Sequence, residues 1–176
     1  QIYPFPNLIT IYNPIDIEEI TNKSKEPHRY SNLKYITAIG RMDSPIKQFD
    51  VLIKAYLESQ LPELDIQLLL IGDGVIKPDL ESIVDNSKAA AKIIFTGNLF
   101  NPFPILASSL FTVLSSKNEG FPNVLLESLA CGTPVVSYDC LTGPSEIIQH
   151  RTNGLLVPDQ NSNELINALN EMATDS

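Results

Sequence analysis

Six short apolar runs recur along the chain, separated by segments of mixed polarity. Each run is three to six residues long, which is the length of a strand and too short for most helices. Most runs are apolar at every position instead of every second one, which indicates strands covered by helices on both faces of a parallel sheet. They lie at residues 35–39, 66–71, 93–96, 110–114, 135–138 and 155–157.

Amphipathic segments lie between these runs. The clearest has apolar residues three and four apart, at positions 49, 52, 53, 56 and 57, and similar stripes predict helices around residues 80–84, 124–129 and 165–172. Strand and helix therefore alternate from residue 35 onward, which predicts an α/β fold with a doubly wound parallel sheet. Upstream, we expect a short strand at residues 8–12 and an exposed loop at residues 21–32.

Composition excludes several classes of protein. Lys and Arg number 12 against 21 Asp and Glu, and the net charge of −9 argues against a nucleic-acid partner. Two cysteines and two histidines, without a cluster, predict neither a disulfide framework nor a zinc site. Residues 1–13 contain no basic start and no apolar run, so we expect no signal segment there. The uncharged stretch at 93–116 is interrupted by glycine, asparagine and proline, so we expect a soluble protein.

Ligands of doubly wound sheets bind outside the carboxyl ends of the strands, so the loops at that edge are the candidate site. The first loop begins at Gly40 and carries Arg41 and Lys47, two cations that can grip a diphosphate. The alternative is a solvated basic loop without a partner. In the second loop, Gly72 and Gly74 lack the third glycine of a dinucleotide fingerprint, so a tight turn is the favoured interpretation.

The fourth loop, residues 115–127, carries the most informative pattern. Pro122 suits the first turn of a helix, and the amides of Asn123, Val124 and Leu125 would then form an anion site at the helix N-terminus. Gly120, just before them, allows a ligand to approach the backbone closely.

Two carboxylates flank this anion site, at Glu119 and Glu127. Carboxylates repel phosphate, but they accept hydrogen bonds from the hydroxyl groups of sugars. The alternative is that Glu119 compensates the helix dipole and Glu127 is simply exposed. In the fifth loop, Thr142 or Ser145 is expected to cap the next helix. Cys131 and Cys140 are expected to be ordinary reduced thiols.

Five segments together resemble the donor domain of GT-B glycosyltransferases of retaining family 4, also called glycosyl transferases group 1. They are Gly40-Arg41 with residues 47–53 (KQFDVLI), residues 71–74 (IGDG), 119–127 (EGFPNVLLE), 130–136 (ACGTPVV) and 153–157 (NGLLV). The resemblance covers about residues 13 to 176 in order. It implies a Rossmann-like sheet that forms the C-terminal half of a GT-B enzyme.

The resemblance also implies roles for individual residues. Arg41 and Lys47 would hold the diphosphate and neutralise the leaving group, Glu127 would accept from the ribose hydroxyls, and Glu119 would face the transferred sugar. This makes Glu119, Arg41 and Lys47 the catalytic candidates. Gln48 departs from the family pattern, which has glycine there. The nucleotide-sugar site would be lined by Arg41, Lys47, Gly72, Gly74, Asn98, Gly120, Phe121, Asn123, Val124 and Glu127.

No metal and no permanently bound cofactor are implied, since there is no Asp-x-Asp run and the two cations can do the electrostatic work. Residues 1–15 would be the end of an upstream domain and its junction, and residues 16–176 the nucleotide-sugar-binding domain. The expected partners are a nucleotide sugar, most commonly a UDP-sugar, and a saccharide or glycolipid acceptor held by the upstream domain.

The family's usual setting is polysaccharide or lipopolysaccharide assembly. It implies a cytoplasmic protein whose full-length form associates peripherally with the inner face of the membrane. The isolated domain is expected to be a poorly active hexosyltransferase, because half a cleft neither excludes water nor positions an acceptor. Two other functions are alternatives: a catalytically silent nucleotide-sugar-binding module, and an NAD-dependent oxidoreductase, which Lys77 in place of the third glycine opposes.

Overall fold

The computed structural model describes residues 12–174 and confirms the α/β prediction. Six parallel strands form one sheet in the order β3-β2-β1-β4-β5-β6. The strand predicted at residues 8–12 lies outside the described residues, apart from Tyr12, which is in no strand. The strands are β1 Tyr35–Ile39, β2 Gln67–Ile71, β3 Ile93–Gly97, β4 Thr112–Leu114, β5 Val135–Tyr138 and β6 Gly154–Val157.

Helices cover both faces of the sheet. They are α1 Ile17–Lys23, α2 Phe49–Glu58, α3 Lys77–Asp85, α4 Phe103–Ala107, α5 Asn123–Ala130, α6 Pro144–Ile147 and α7 Ser162–Thr174, with 3-10 turns at Pro45–Lys47 and Ala90–Lys92. Alternate strand residues face opposite layers. Ile36 and Leu68 pack in the main core with α2, α3 and α7, whereas Tyr35 and Leu69 pack with Tyr30 on the other face. Because both faces of the sheet are covered, consecutive strand residues have to be apolar.

The exposed loop predicted at residues 21–32 is wrong in two respects: its first residues are helical, and Tyr30 within it is buried. Residues 21–23 belong to α1, which Asp16 caps by accepting a hydrogen bond from the amide of Glu19 at 2.8 Å. Tyr30 is buried, with 6% of its surface exposed. The hydrophobic pattern did not predict this helix, because Ile20 is its one buried residue and a helix with one buried residue has no apolar stripe.

A chain of buried hydroxyl groups fixes the strands beneath the ligand edge. Thr37 Oγ1 of β1 lies 2.9 Å from Thr112 Oγ1 of β4. Ser128 Oγ of α5 lies 2.8 Å from the same Thr112 oxygen and 3.1 Å from the carbonyl oxygen of Thr133. Buried polar groups need such partners, so these contacts hold α5 at one position over the sheet.

Candidate functional site

The strand order reverses between β1 and β4, and this is where open α/β sheets bind their ligands. The loops that follow these two strands are bonded to each other. Ser115 Oγ lies 2.9 Å from the carbonyl oxygen of Lys47 and 3.2 Å from that of Gln48. The amide of Lys117 donates to the carbonyl oxygen of Ile46 at 2.9 Å. The first and fourth loops therefore form one wall of the crevice.

Lys47 and Glu119, 72 residues apart in the chain, form an ion pair that joins the first and fourth loops. Lys47 Nζ lies 2.7 Å from Glu119 Oε1, and only 29% and 10% of the two side chains are exposed. The stem of Lys47 runs over Gly40, where a Cβ would lie 3.4 Å from three of its carbon atoms. An ammonium group has three protons, so Lys47 can donate to an anionic ligand while it stays bonded to Glu119.

The backbone of Glu119 is itself held in place by the fifth loop. The hydroxyl of Thr142 donates to the carbonyl oxygen of Glu119. The expected role of Thr142 or Ser145 as helix cap is wrong, because Gly143 occupies the N-cap of α6 and no side chain caps it. Gly143 has φ 96°, and a Cβ there would lie 2.5 Å from Pro122 Cδ. No spacing rule links residues 119 and 142, so this contact was not predictable from the sequence.

The start of α5 differs slightly from the sequence prediction. Pro122 is the N-cap residue and lies outside the first turn, and its carbonyl oxygen accepts from the amide of Leu125 at 3.0 Å. The first-turn amides without an intrahelical acceptor are those of Asn123 and Val124, one fewer than expected. A Cβ at Gly120 would meet no atom within 4 Å, so the space in front of this helix end is open.

Two predicted lining residues contact the segment that precedes α1. The side-chain amide of Asn13 donates to Asn123 Oδ1 at 3.0 Å, and the rings of Tyr12 and Phe121 lie 5.1 Å apart. Tyr12 also donates through its hydroxyl to Glu146 Oε2 at 3.0 Å. These contacts attach residues 12 and 13 of the predicted junction to the fourth loop, which also carries Glu119.

Glu127 lies on α5, half-buried, and burial raises the pKa of its carboxyl group. Within residues 12–174, no hydrogen bond or ion pair reaches this carboxylate. One turn further, burial and the nearby Glu127 charge raise the pKa of the Cys131 thiol to about 11. Cys131 therefore stays a protonated thiol at neutral pH, as expected from the sequence. Glu127 keeps its full capacity to accept hydrogen bonds from a ligand.

Arg41 is not fixed in the Lys47–Glu119 cluster. Its side chain is 87% exposed, and its ion pair is with Asp43, at 3.7 Å from Nη1 to Oδ2. An exposed pair of this length is weak and screened by salt. The guanidinium group is therefore free to reorient toward a ligand, but the structure does not hold it in place as it holds Lys47.

The second loop passes close to the first. Gly72 and Gly74 have φ values of 137° and 155°, and a Cβ at Gly72 would lie 2.0 Å from the carbonyl oxygen of Gly40. A Cβ at Gly74 would lie 2.2 Å from the carbonyl carbon of Met42. Both glycines thus serve close backbone packing, in agreement with the tight turn that the sequence favoured. Asn98 lies exposed in the third loop, which follows β3.

The described part of the chain offers neither a metal cluster nor a membrane-spanning helix. Between residues 12 and 174, no group of three or more His, Cys, Asp and Glu side chains is arranged to hold a metal ion. Over the same range, every helix is too short or too polar to cross a membrane.

A family model described as glycosyl transferases group 1 matches residues 33–175. The chain belongs to this family. Among relatives, it is 34% identical over 165 residues to the Campylobacter jejuni N-acetylgalactosamine-N,N'-diacetylbacillosaminyl-diphospho-undecaprenol 4-alpha-N-acetylgalactosaminyltransferase, covering 94% of this chain and 44% of that protein. It is 30% identical over 160 residues to the Bacillus anthracis N-acetyl-alpha-D-glucosaminyl L-malate synthase, covering 88% and 41%. The chain thus spans less than half the length of these group 1 relatives.

Solved GT-B structures share the fold. A Staphylococcus aureus TarM mutant in complex with Fondaparinux, alpha-GlcNAc-glycerol and UDP superposes with a TM-score of 0.84 at 23% identity, covering 98% of this chain and 34% of that one. Anabaena HepE in complex with UDP and glucose superposes with a TM-score of 0.79 at 25% identity, covering 94% and 47%. The predicted Rossmann-like sheet of a group 1 glycosyltransferase is therefore confirmed.

Proposed function

We propose that this chain is the donor-binding domain of a retaining glycosyltransferase that transfers a sugar from a UDP-sugar to a saccharide or lipid-linked acceptor. The observation that carries the proposal is the Lys47–Glu119 pair at the strand-order reversal, with the half-buried Glu127 carboxylate on the adjoining helix. A cation for phosphate and two acceptors for hydroxyls are what a nucleotide sugar requires. The UDP in the TarM and HepE structures supports UDP as the first donor to test.

Each side chain has a distinct role in this proposal. Lys47 and Arg41 bind the diphosphate and stabilise the negative charge that develops as the bond from the sugar to the phosphate breaks. The amides of Asn123 and Val124, which have no intrahelical acceptor at the N-terminus of α5, add to the same anion site. Glu127 accepts from the ribose hydroxyls, and Glu119 faces the transferred sugar. The cations of the chain perform this work without a metal ion or a permanently bound cofactor.

The acceptor, in this proposal, binds a domain upstream of the junction at residues 1–15. Closure of the two domains would exclude water and bring the acceptor hydroxyl to the sugar, so the chain by itself transfers poorly. The relatives whose names give a diphospho-undecaprenol or a poly(ribitol-phosphate) acceptor support a role in surface polysaccharide assembly. From the family's usual setting, we infer that this role is carried out on the cytoplasmic face of the membrane.

The decisive experiment is a calorimetric titration of this chain with UDP, GDP, ADP and NAD. We expect one nucleoside diphosphate to bind and NAD to bind more weakly. Lys47→Ala should weaken that binding about 10- to 100-fold, because it removes a charge-assisted contact. Arg41→Ala should weaken it less, since the exposed Arg41 must first be ordered.

Lys54→Ala is the matched control, because Lys54 lies on α2 with Asp50 as its partner at 3.3 Å. It should bind UDP like the parent chain. Unchanged affinity in Lys47→Ala would overturn the diphosphate assignment, and preference for NAD would overturn the whole function. Glu119→Ala should affect UDP-sugars and leave UDP itself nearly unchanged, and equal losses for both would contradict the proposed division of roles.

A further inference from the structure

Two glutamines with left-handed backbone conformations meet beside the site. Gln48 has φ 49° and Gln160 has φ 56°, although they are 112 residues apart in the chain. Residues with a Cβ disfavour this conformation, and it persists only where the surrounding structure enforces it. The contact between two such residues therefore indicates that the surrounding structure holds both backbones in this strained conformation.

The contact is a reciprocal pair of amide hydrogen bonds. Gln48 Nε2 donates to Gln160 Oε1 at 2.8 Å, and Gln160 Nε2 donates to Gln48 Oε1 at 2.9 Å. Asp159 Oδ1 accepts from the same Gln160 nitrogen at 3.1 Å. Because a carboxylate accepts only from the nitrogen end of an amide, Asp159 fixes which way Gln160 faces.

Gln48 lies next to Lys47, at the turn between the 3-10 segment Pro45–Lys47 and α2. Ser115 binds the carbonyl oxygens of both residues from the β4 side. Gln160 binds the side chain of Gln48 from the β6 side. The backbone that carries Lys47 is therefore held between two loops, and this sets the direction in which its ammonium group points.

We propose that Gln160 is a positioning residue that, through Gln48, holds Lys47 for the diphosphate of the donor. The inference rests on the proposed function, since it assigns Gln160 to the same anion site. A purely structural role is a poor explanation, because Gln160 is exposed and exposed amide pairs add little to stability. Helix α7 is also joined to the segment that follows α2, because the backbone amide of Gln60 donates to Asn170 Oδ1 at 2.8 Å.

Glycine substitutions separate positioning from stability. In Gln160→Gly and Gln48→Gly, the left-handed conformation is no longer strained, but the amide pair is lost. We expect the thermal midpoint of this chain to stay unchanged or rise, while the Kd for UDP increases about three- to tenfold, roughly the effect of losing one hydrogen bond. A residue with only a structural role would change affinity and stability in the same direction.

Coupling to Lys47 is the decisive readout. In a Lys47→Ala background, Gln160→Gly should leave the remaining UDP affinity within about twofold, because the residue it positions is absent. Gln149→Gly, at another exposed glutamine, controls for flexibility and should bind UDP like the parent. Unchanged UDP affinity in Gln160→Gly, or the same loss with and without Lys47, overturns the positioning role. A different result would contradict the proposed function itself: Lys47→Ala would then bind UDP as tightly as the parent chain.

Discussion

Glu127 offers the sharpest test of the site, because its predicted effects on binding and on stability have opposite signs. The substitution Glu127→Gln keeps the shape of the side chain and removes its charge. Burial raises the pKa of Glu127, so the ionised group destabilises the fold above that pKa and ceases to do so as the pH falls below its unfolded value. At neutral pH we therefore expect the variant to be as stable as the parent, or more stable by at most about 1 kcal/mol.

Binding should change the other way. No protein group within residues 12–174 bonds to the Glu127 carboxylate, so a ligand hydroxyl displaces no protein donor and its net hydrogen-bond free energy is gained. A charge-assisted hydrogen bond contributes about 1.5–3 kcal/mol, which corresponds to a loss of roughly 10- to 100-fold in UDP affinity.

The assay is calorimetry with UDP and with its 2′,3′-dideoxy analogue, which lacks the ribose hydroxyls. The parent chain should bind the analogue weakly, and Glu127→Gln should weaken it no further. Glu58→Gln, at the exposed end of α2, is the matched control and should leave UDP affinity unchanged. UDP affinity within twofold of the parent, or an equal loss for both ligands, would refute the assignment of Glu127 to the ribose.

Two further predictions concern stability. Gly72→Ala should lower the free energy of unfolding by about 3 kcal/mol or prevent folding, because its Cβ would lie 2.0 Å from the Gly40 carbonyl oxygen. The control Gly120→Ala should change the free energy of unfolding in urea by less than about 0.5 kcal/mol, because its Cβ would meet no atom within 4 Å. Equal urea midpoints for the two variants would contradict the packing argument. Burial raises the pKa of Tyr35 from 10.0 to about 12, so stability should be full below pH 10 and fall as the pH rises from 10 to 12. In thermal scans, Tyr35→Phe should reduce this loss of stability between pH 10 and 12. At neutral pH the variant should be less stable by about 1 kcal/mol, because it loses the hydrogen bond to the Ile105 carbonyl oxygen at 2.9 Å. An equal loss of stability at high pH in the variant and the parent would show that Tyr35 does not cause it.

The sheet was largely predictable because burial on both faces leaves a local mark. A strand covered on two sides has to be apolar throughout, so the predicted bounds of β1 and β5 match the structure. The prediction for β4 began two residues early, at Leu110, whose amide bonds to the Tyr35 carbonyl outside the ladder at 2.9 Å. Helix α1 was missed because one buried residue, Ile20, leaves no periodic pattern.

The residue types of the candidate site could also be read from the sequence alone. Gly40, Lys47 and Glu119 lie in loops that follow strands, and Glu127 lies in the helix after the fourth loop; parallel strands place such loops at one edge of the sheet. Which of them meet was decided only by the tertiary structure. The Lys47–Glu119 pair joins loops 72 residues apart, and the Gln48–Gln160 pair joins loops 112 residues apart. Local periodicity records which face of an element is buried, but a contact between distant loops depends on strand order and helix packing, and no spacing along the chain encodes it.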